Sequence, residues 1–189
     1  MKKGLLSTLL LIALNTLVNA QATQSNNAIF HEKTTIGVGA GLDFGGLGVN
    51  WQYYPNRKLG VFVGVGYPLV PPIGLNIGMK YRFYRKETYP KVIPFATAMF
   101  GYNGALNLSV TNVNSIYKAQ GVFAGPTFGG GIDTRYTSKK IGYWSFELLV
   151  PIRNSKFYDQ LNQFKNLGGQ LKFPVSPILF SVGYRFVIK

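Results

Sequence analysis

Asp43, Lys80, Arg82, Asp133, Glu147 and Arg185 share one placement: each sits in a stretch where apolar residues alternate with glycine or polar residues, on the non-apolar side. If these sides line one narrow interior, charges held there must pair, because an unpaired charge away from water is very costly. Glu147 and Arg185 fall on neighbouring strands and are the expected pair, and Arg135 is a further candidate. Such a network has two uses. It can plug the interior and fix strand register, or it can line a narrow conduit whose excess positive charge favours anions. Eight strands enclose a space that side chains roughly fill, which favours the plug.

Other chemistry finds little support. His31 is the only histidine and precedes the first alternating segment, and the chain has no cysteine. General acid–base work on a strand or loop therefore lacks its usual residue. A transition-metal centre lacks its ligands, so no metal, cofactor or catalytic residue is expected. Gly129-Gly130-Gly131 lacks the Lys-Ser/Thr of a phosphate loop and lies inside a strand-like segment. A second group, Arg153, Lys156, Lys165 and Lys172 with Phe157, Tyr158 and Phe164, lies in a long connection. Cations beside aromatic rings there suit lipopolysaccharide phosphates or an external partner.

The elements that must position these residues are strands, since side chains alternate faces with period two. Ile36, Val38, Ala40, Leu42 and Phe44 alternate with Thr35, Gly37, Gly39, Gly41 and Asp43. Leu47–Tyr53 and Leu59–Tyr67 repeat the pattern, and Ile73–Phe83 shows it most clearly. A fifth strand spans Val92–Asn103 with faces that the pattern leaves open. A sixth runs through Val122–Asp133, a seventh through Trp144–Ile152 and an eighth through Ile178–Ile188. Water-facing strand positions normally carry Lys, Glu, Thr and Asp, whereas here they are mostly glycine. Apolar rows facing lipid and a small, partly charged lumen account for both faces, so the expected fold is all-β: an eight-stranded antiparallel up-and-down transmembrane β-barrel.

Connections give an orientation. Pro55–Lys58, Arg85–Lys91 and Tyr136–Lys140 are short and basic or turn-forming, whereas Gly104–Lys118 and Arg153–Val175 are long. Short periplasmic turns alternating with long outside loops place both termini in the periplasm. Trp51, Tyr53, Tyr81, Phe83, Tyr136, Tyr143, Trp144, Tyr184 and Phe186 cluster near the short turns, as an interfacial girdle would. Residues 1–20 read as a secretory signal: Lys2 and Lys3, an apolar run from Leu5 to Leu14, and small residues at Val18-Asn19-Ala20 before Gln21. Residues 21–32 form a short lead-in and 33–189 the barrel. The formal charge is +14, two units of which belong to Lys2 and Lys3. Export and scattered cations argue against nucleic acid and for anionic lipid phosphates.

The stretches GLGVNWQYY (Gly46–Tyr54), IGMKYRFY (Ile77–Tyr84) and ILFSVGYRFVIK (Ile178–Lys189) resemble small outer-membrane β-barrels of the OmpX/OmpA-like or porin-like type. The resemblance implies a bacterial outer-membrane location. It also implies that the barrel-assembly machinery reads Tyr184, Phe186 and Ile188 on the last strand, although Lys189 stands where an aromatic residue would be expected. Some barrels of this size are lipid acyltransferases or deacylases that use a histidine, a route unsupported after Lys33. The leading expectation is a non-enzymatic membrane barrel with a structural or surface-interaction role. A small porin-like channel for anions or small solutes is the alternative. A soluble exported barrel binding an apolar ligand is less favoured, and an enzyme comes last.

Overall fold

In a computed structural model of the chain, the residues described are 33–68, 73–83, 91–112, 115–134, 142–171 and 175–188. The expected signal segment, His31, Arg135, Tyr136 and Lys172 lie outside them. Eight strands run in chain order: β1 Thr34–Gly41, β2 Gly46–Tyr53, β3 Leu59–Tyr67, β4 Gly74–Arg82, β5 Val92–Asn112, β6 Ser115–Thr134, β7 Gly142–Pro151 and β8 Leu179–Ile188. Each pairs antiparallel with the next, and β8 pairs with β1, so the sheet closes into an up-and-down barrel. Closure leaves no sheet edge within the band where all eight strands run side by side. The antiparallel ladders there pair the backbone strand to strand, as a bilayer demands.

Six strands are eight to ten residues long, close to the length a tilted strand needs to cross the hydrocarbon. Their outward rows are exposed and apolar: Val38 and Val49, Val63, Ile77 at 61 %, Leu148 at 57 % and Phe180 at 59 %. An uninterrupted apolar surface around a whole barrel far exceeds the patch that a water-soluble monomer exposes. The barrel is therefore a membrane-spanning one.

The structure departs from the sequence reading in four places. Leu42–Phe44 do not continue β1; they form a single 3-10 turn, and all three side chains are buried in the lumen. Gly45 closes that turn with φ 70°, a left-handed conformation that costs glycine nothing. β5 does not end at Asn103, and Gly104–Lys118 is not an open loop: β5 and β6 stay paired to Asn112↔Ser115. These strands are about twice the transmembrane length, so their hairpin rises roughly 30 Å along the strand direction beyond the band. The faces of β5 are now assigned, with Ile93, Phe95, Thr97 and Met99 inward and Val92 and Phe100 outward. Bulky apolar side chains on both sides had hidden the alternation.

The β7–β8 connection holds a helix, α1, spanning Ser155–Asn166. Asn154 caps it by accepting from the Phe157 N–H at 3.0 Å. Phe157, Leu161 and Phe164 fall at i, i+4 and i+7 and are buried together. Phe157 and Leu161 pack with Leu106 and Phe123 on the protruding hairpin, forming a small second core above the barrel. The fourth departure is Tyr143, which points inward and is 2 % exposed rather than sitting in the girdle. Trp51, Tyr53, Tyr81, Phe83, Trp144 and Phe186 remain on the outer face, and Tyr184 stacks edge-on between Trp144 and Phe186. Ile77→Arg, near the middle of the outward surface, should destabilise the barrel by about 2–4 kcal/mol in lipid vesicles. Denaturant titration of vesicle-folded protein measures this, and an unchanged midpoint would contradict a lipid-facing Ile77.

Candidate functional site

The lumen is built from inward positions of all eight strands and the Leu42–Phe44 turn. Period two places Lys80 and Arg82 inward on β4, Asp133 on β6, Tyr143, Ser145 and Glu147 on β7, and Ser181 and Arg185 on β8. All six expected charges are buried, and they bond to one another. Three cations face three carboxylates, so the described lumen is neutral.

At the end carrying the short turns, Arg82 donates to Asp133 from Nε at 2.9 Å and from Nη2 at 2.5 Å. The same Nη2 reaches the Tyr143 hydroxyl at 2.6 Å, and the guanidinium lies 4.0 Å above the Tyr54 ring. This two-point contact fixes orientation as well as charge. One step along β4, Lys80 donates to Glu147 at 2.6 Å across the barrel and stands 3.8 Å from Asp133. Its ammonium also contacts Ser145 Oγ at 3.2 Å and the face of Phe95 at 3.6 Å. Ser145 in turn donates to Asp133 at 2.8 Å, linking the two layers.

The expected Glu147–Arg185 pair forms, but as the longer contact of each residue. Glu147 lies opposite Ser181 in the β7–β8 register and Arg185 lies opposite Tyr143, which offsets them along the strands. Their nearest charged atoms are 3.9 Å apart, whereas Arg185 donates to Asp43 at 3.0 Å and to Asn50 Oδ1 at 2.7 Å. Lys80 is the close partner of Glu147.

Asp43 belongs to a feature that strand parity did not reveal: the β1–β2 connection folds back into the lumen. Its carboxylate accepts from Ser181 and Arg185, and its carbonyl accepts from Asn50 Nδ2 at 2.6 Å. The Leu42 carbonyl accepts from Asn76 Nδ2 and from the Gly45 N–H. Leu42 packs with Phe62, Met99 and Leu149. The Phe44 ring lies on the backbone of Gly39 and Gly183. A Cβ at Gly39 would stand 2.8 Å from that ring, and one at Gly183 closer still. At Gly64 a Cβ would collide with the Asp43 carbonyl. The glycine face therefore clears room for a peptide segment as well as narrowing the barrel.

The connection residues divide differently. Phe157 and Phe164 are buried under α1 and do not offer a contact surface. Arg153 donates to the Ser176 carbonyl at 3.0 Å and stacks on Phe157, so it holds the connection together. Lys156, Tyr158 and Lys165 are exposed on α1. Tyr184, Phe186 and Ile188 lie on the outer face of β8, as expected. Among the described residues, no group of three or more His, Cys, Asp or Glu could hold a metal.

No protein-family model matches this chain, and no curated protein matches it. Among solved structures it is similar to the crystal structure of the N-terminal β-barrel domain of Pseudomonas aeruginosa OprF. The two are 13 % identical, with a TM-score of 0.44, over 82 % of this chain and 97 % of that one.

The cross-lumen pair yields a test. Lys80→Met strands Glu147 without its close partner and should cost about 3–5 kcal/mol, whereas Lys80→Met/Glu147→Met should recover most of that loss. Equal destabilisation in the single and double variants, read by unfolding in detergent, would show that the two residues do not act as a pair.

Proposed function

We propose that this protein is a bacterial outer-membrane barrel with a structural and surface-interaction role, and that its lumen does not conduct. The observation that carries this reading is the first connection seated inside the barrel. Asp43, Leu42 and Phe44 occupy the same cross-section as the charge network, and every lumen charge is at most 2 % exposed. Paired charges in place of water leave an ion nothing to replace its hydration shell. The porin-like alternative needs a continuous polar path. The soluble alternative needs an inward apolar cavity and a wettable outer face, and the outward rows here are apolar.

In this reading the short-turn end faces the periplasm, and the β5–β6 hairpin with α1 stands outside the cell. Tyr184, Phe186 and Ile188, in a row on the outer face of the closing strand, present the signal that the assembly machinery reads. The surface-interaction part falls to α1. Tyr158, Asn162 and Lys165 lie at i, i+4 and i+7 on its exposed side, with Lys156 nearby. A hydroxylated ring, an amide and an ammonium in one row suit the phosphorylated sugars of lipopolysaccharide.

Planar-bilayer recording on heat-modifiable, fully folded protein should show no sustained conductance steps. Steady steps with an anion preference would replace this reading with the channel. Lys156→Gln/Lys165→Gln should lower binding to lipopolysaccharide-containing vesicles at low salt by roughly two- to fivefold, and unchanged binding would remove α1 from the contact surface.

A further inference from the structure

The neutrality of the lumen has a consequence for the rest of the charge. Three of the six acidic residues are spent inside the barrel, paired with three cations, so the large positive balance lies at the rims. It is unevenly shared. On the side of the short turns, the connections and termini carry Lys33, Arg57, Lys58, Arg85, Lys86, Lys91, Arg135, Lys139, Lys140 and Lys189 against Glu32 and Glu87. Of these, Lys33, Arg57, Lys58 and Lys91 are among the described residues. Lys33, Lys58 and Lys91 are exposed, Arg57 is half-buried, and none of the four forms an ion pair with a described residue.

Their height on the barrel is fixed by hydrogen bonds. The Lys33 carbonyl accepts from the Tyr54 N–H and the Lys58 carbonyl from the Arg82 N–H, both at 2.7 Å. Lys33 and Lys58 therefore stand about one residue beyond the outward rings of Tyr53 and Tyr81. Aromatic rings of that kind mark the boundary between hydrocarbon and headgroups. Cations just past them stand at phosphate depth, at the rim ends of β1, β3 and β5.

We infer that the short-turn rim is a binding surface for anionic phospholipid headgroups, gathering phosphodiester-bearing lipids from that leaflet around the barrel. The inference rests on the membrane reading above and adds the leaflet, the lipid class and the residues. Lipid is the occupant because the exposed cations begin where the aromatic belt ends. A soluble acidic partner would not need that coincidence of height. Each such cation attracts an anionic surface, and the attraction falls off within a Debye length.

The chain carries its own reporter. Trp51 and Trp144 are its only tryptophans, and both are exposed on the outer face at this end, on opposite sides of the barrel. The full chain without its leader is folded into phosphatidylcholine vesicles containing a minority of phosphatidylglycerol, with either the zwitterionic or the anionic lipid brominated on its acyl chains. Quenching per mole of brominated lipid should favour phosphatidylglycerol by at least about twofold at low salt. The excess should shrink at high salt, and also in Lys33→Gln/Arg57→Gln/Lys58→Gln/Lys91→Gln. The matched outer variant Lys118→Gln/Lys156→Gln/Lys165→Gln should keep it.

Equal quenching by both lipids, an excess insensitive to salt, or loss of the excess only in the outer variant would each overturn the rim assignment while leaving the barrel in the membrane. Quenching by neither lipid in a heat-modifiable barrel would instead overturn the membrane reading, and the rim with it. Heat-modifiable migration of the fourfold variant on gels separates a lost contact from a failure to fold.

Discussion

Six ionisable groups share a space from which solvent is excluded, and everything else in the barrel answers to that. Lys80, Arg82 and Arg185 meet Asp43, Asp133 and Glu147 at bonding distance, and each cation reaches an acid on a different part of the fold. The cost of dehydrating one ion is several kcal/mol, recovered only when geometry and hydrogen bonding are both good. Removing any one side chain therefore leaves an opposite charge stranded. Register, strand tilt and lumen width are fixed together, because a shift of one residue would turn β4 or β7 inside out. The charges specify the arrangement more than they add to its stability.

Glycine gives the second half of the account. A narrow barrel filled by side chains alone would need bulky inward residues on all strands. This one places backbone in the lumen instead. The Leu42–Phe44 turn fills the space above Gly39, Gly64 and Gly183, and its own polar groups are bonded by Asn50, Asn76, Ser181 and Arg185. Buried backbone is tolerable only when its carbonyls are satisfied in this way. The small residues and the amide side chains form one device: the former make the space and the latter hold what enters it.

Much of this is legible in the sequence. The alternation of β2, β3, β4, β7 and β8 assigns their faces correctly, and the five lumen charges on strands follow from parity, whereas Asp43 enters the lumen on the Leu42–Phe44 turn. Leu42–Phe44 is missed because those residues keep the apolar–polar phase of β1, so period two reads straight through the bend. What turns the chain inward is the room left by Gly39, Gly64 and Gly183, which no local window contains. Ion partners are only partly legible for a related reason: adjacency of strands gives Glu147 with Arg185, a 3.9 Å contact, but stagger along the strands and the reach of Lys80 across the lumen make Lys80 the closer partner. α1 is a different case. Its signals are local and present, from Asn154 as cap through Phe157, Leu161 and Phe164 to Gly168-Gly169, but they sit in a basic stretch that reads first as a loop.

Asp43 lies between the first two strands, yet Ser181 and Arg185, which hold it, belong to the last. The segment therefore cannot take its final seat until nearly the whole chain has been laid down and β8 has joined β1. Closing so long a loop is slow compared with forming neighbouring hairpins. Until then Asp43 lacks the Ser181 and Arg185 contacts that bond its carboxylate. Burial of Phe44 against Gly183 thus marks completion: it separates a sheet that has merely curled from a barrel that has sealed.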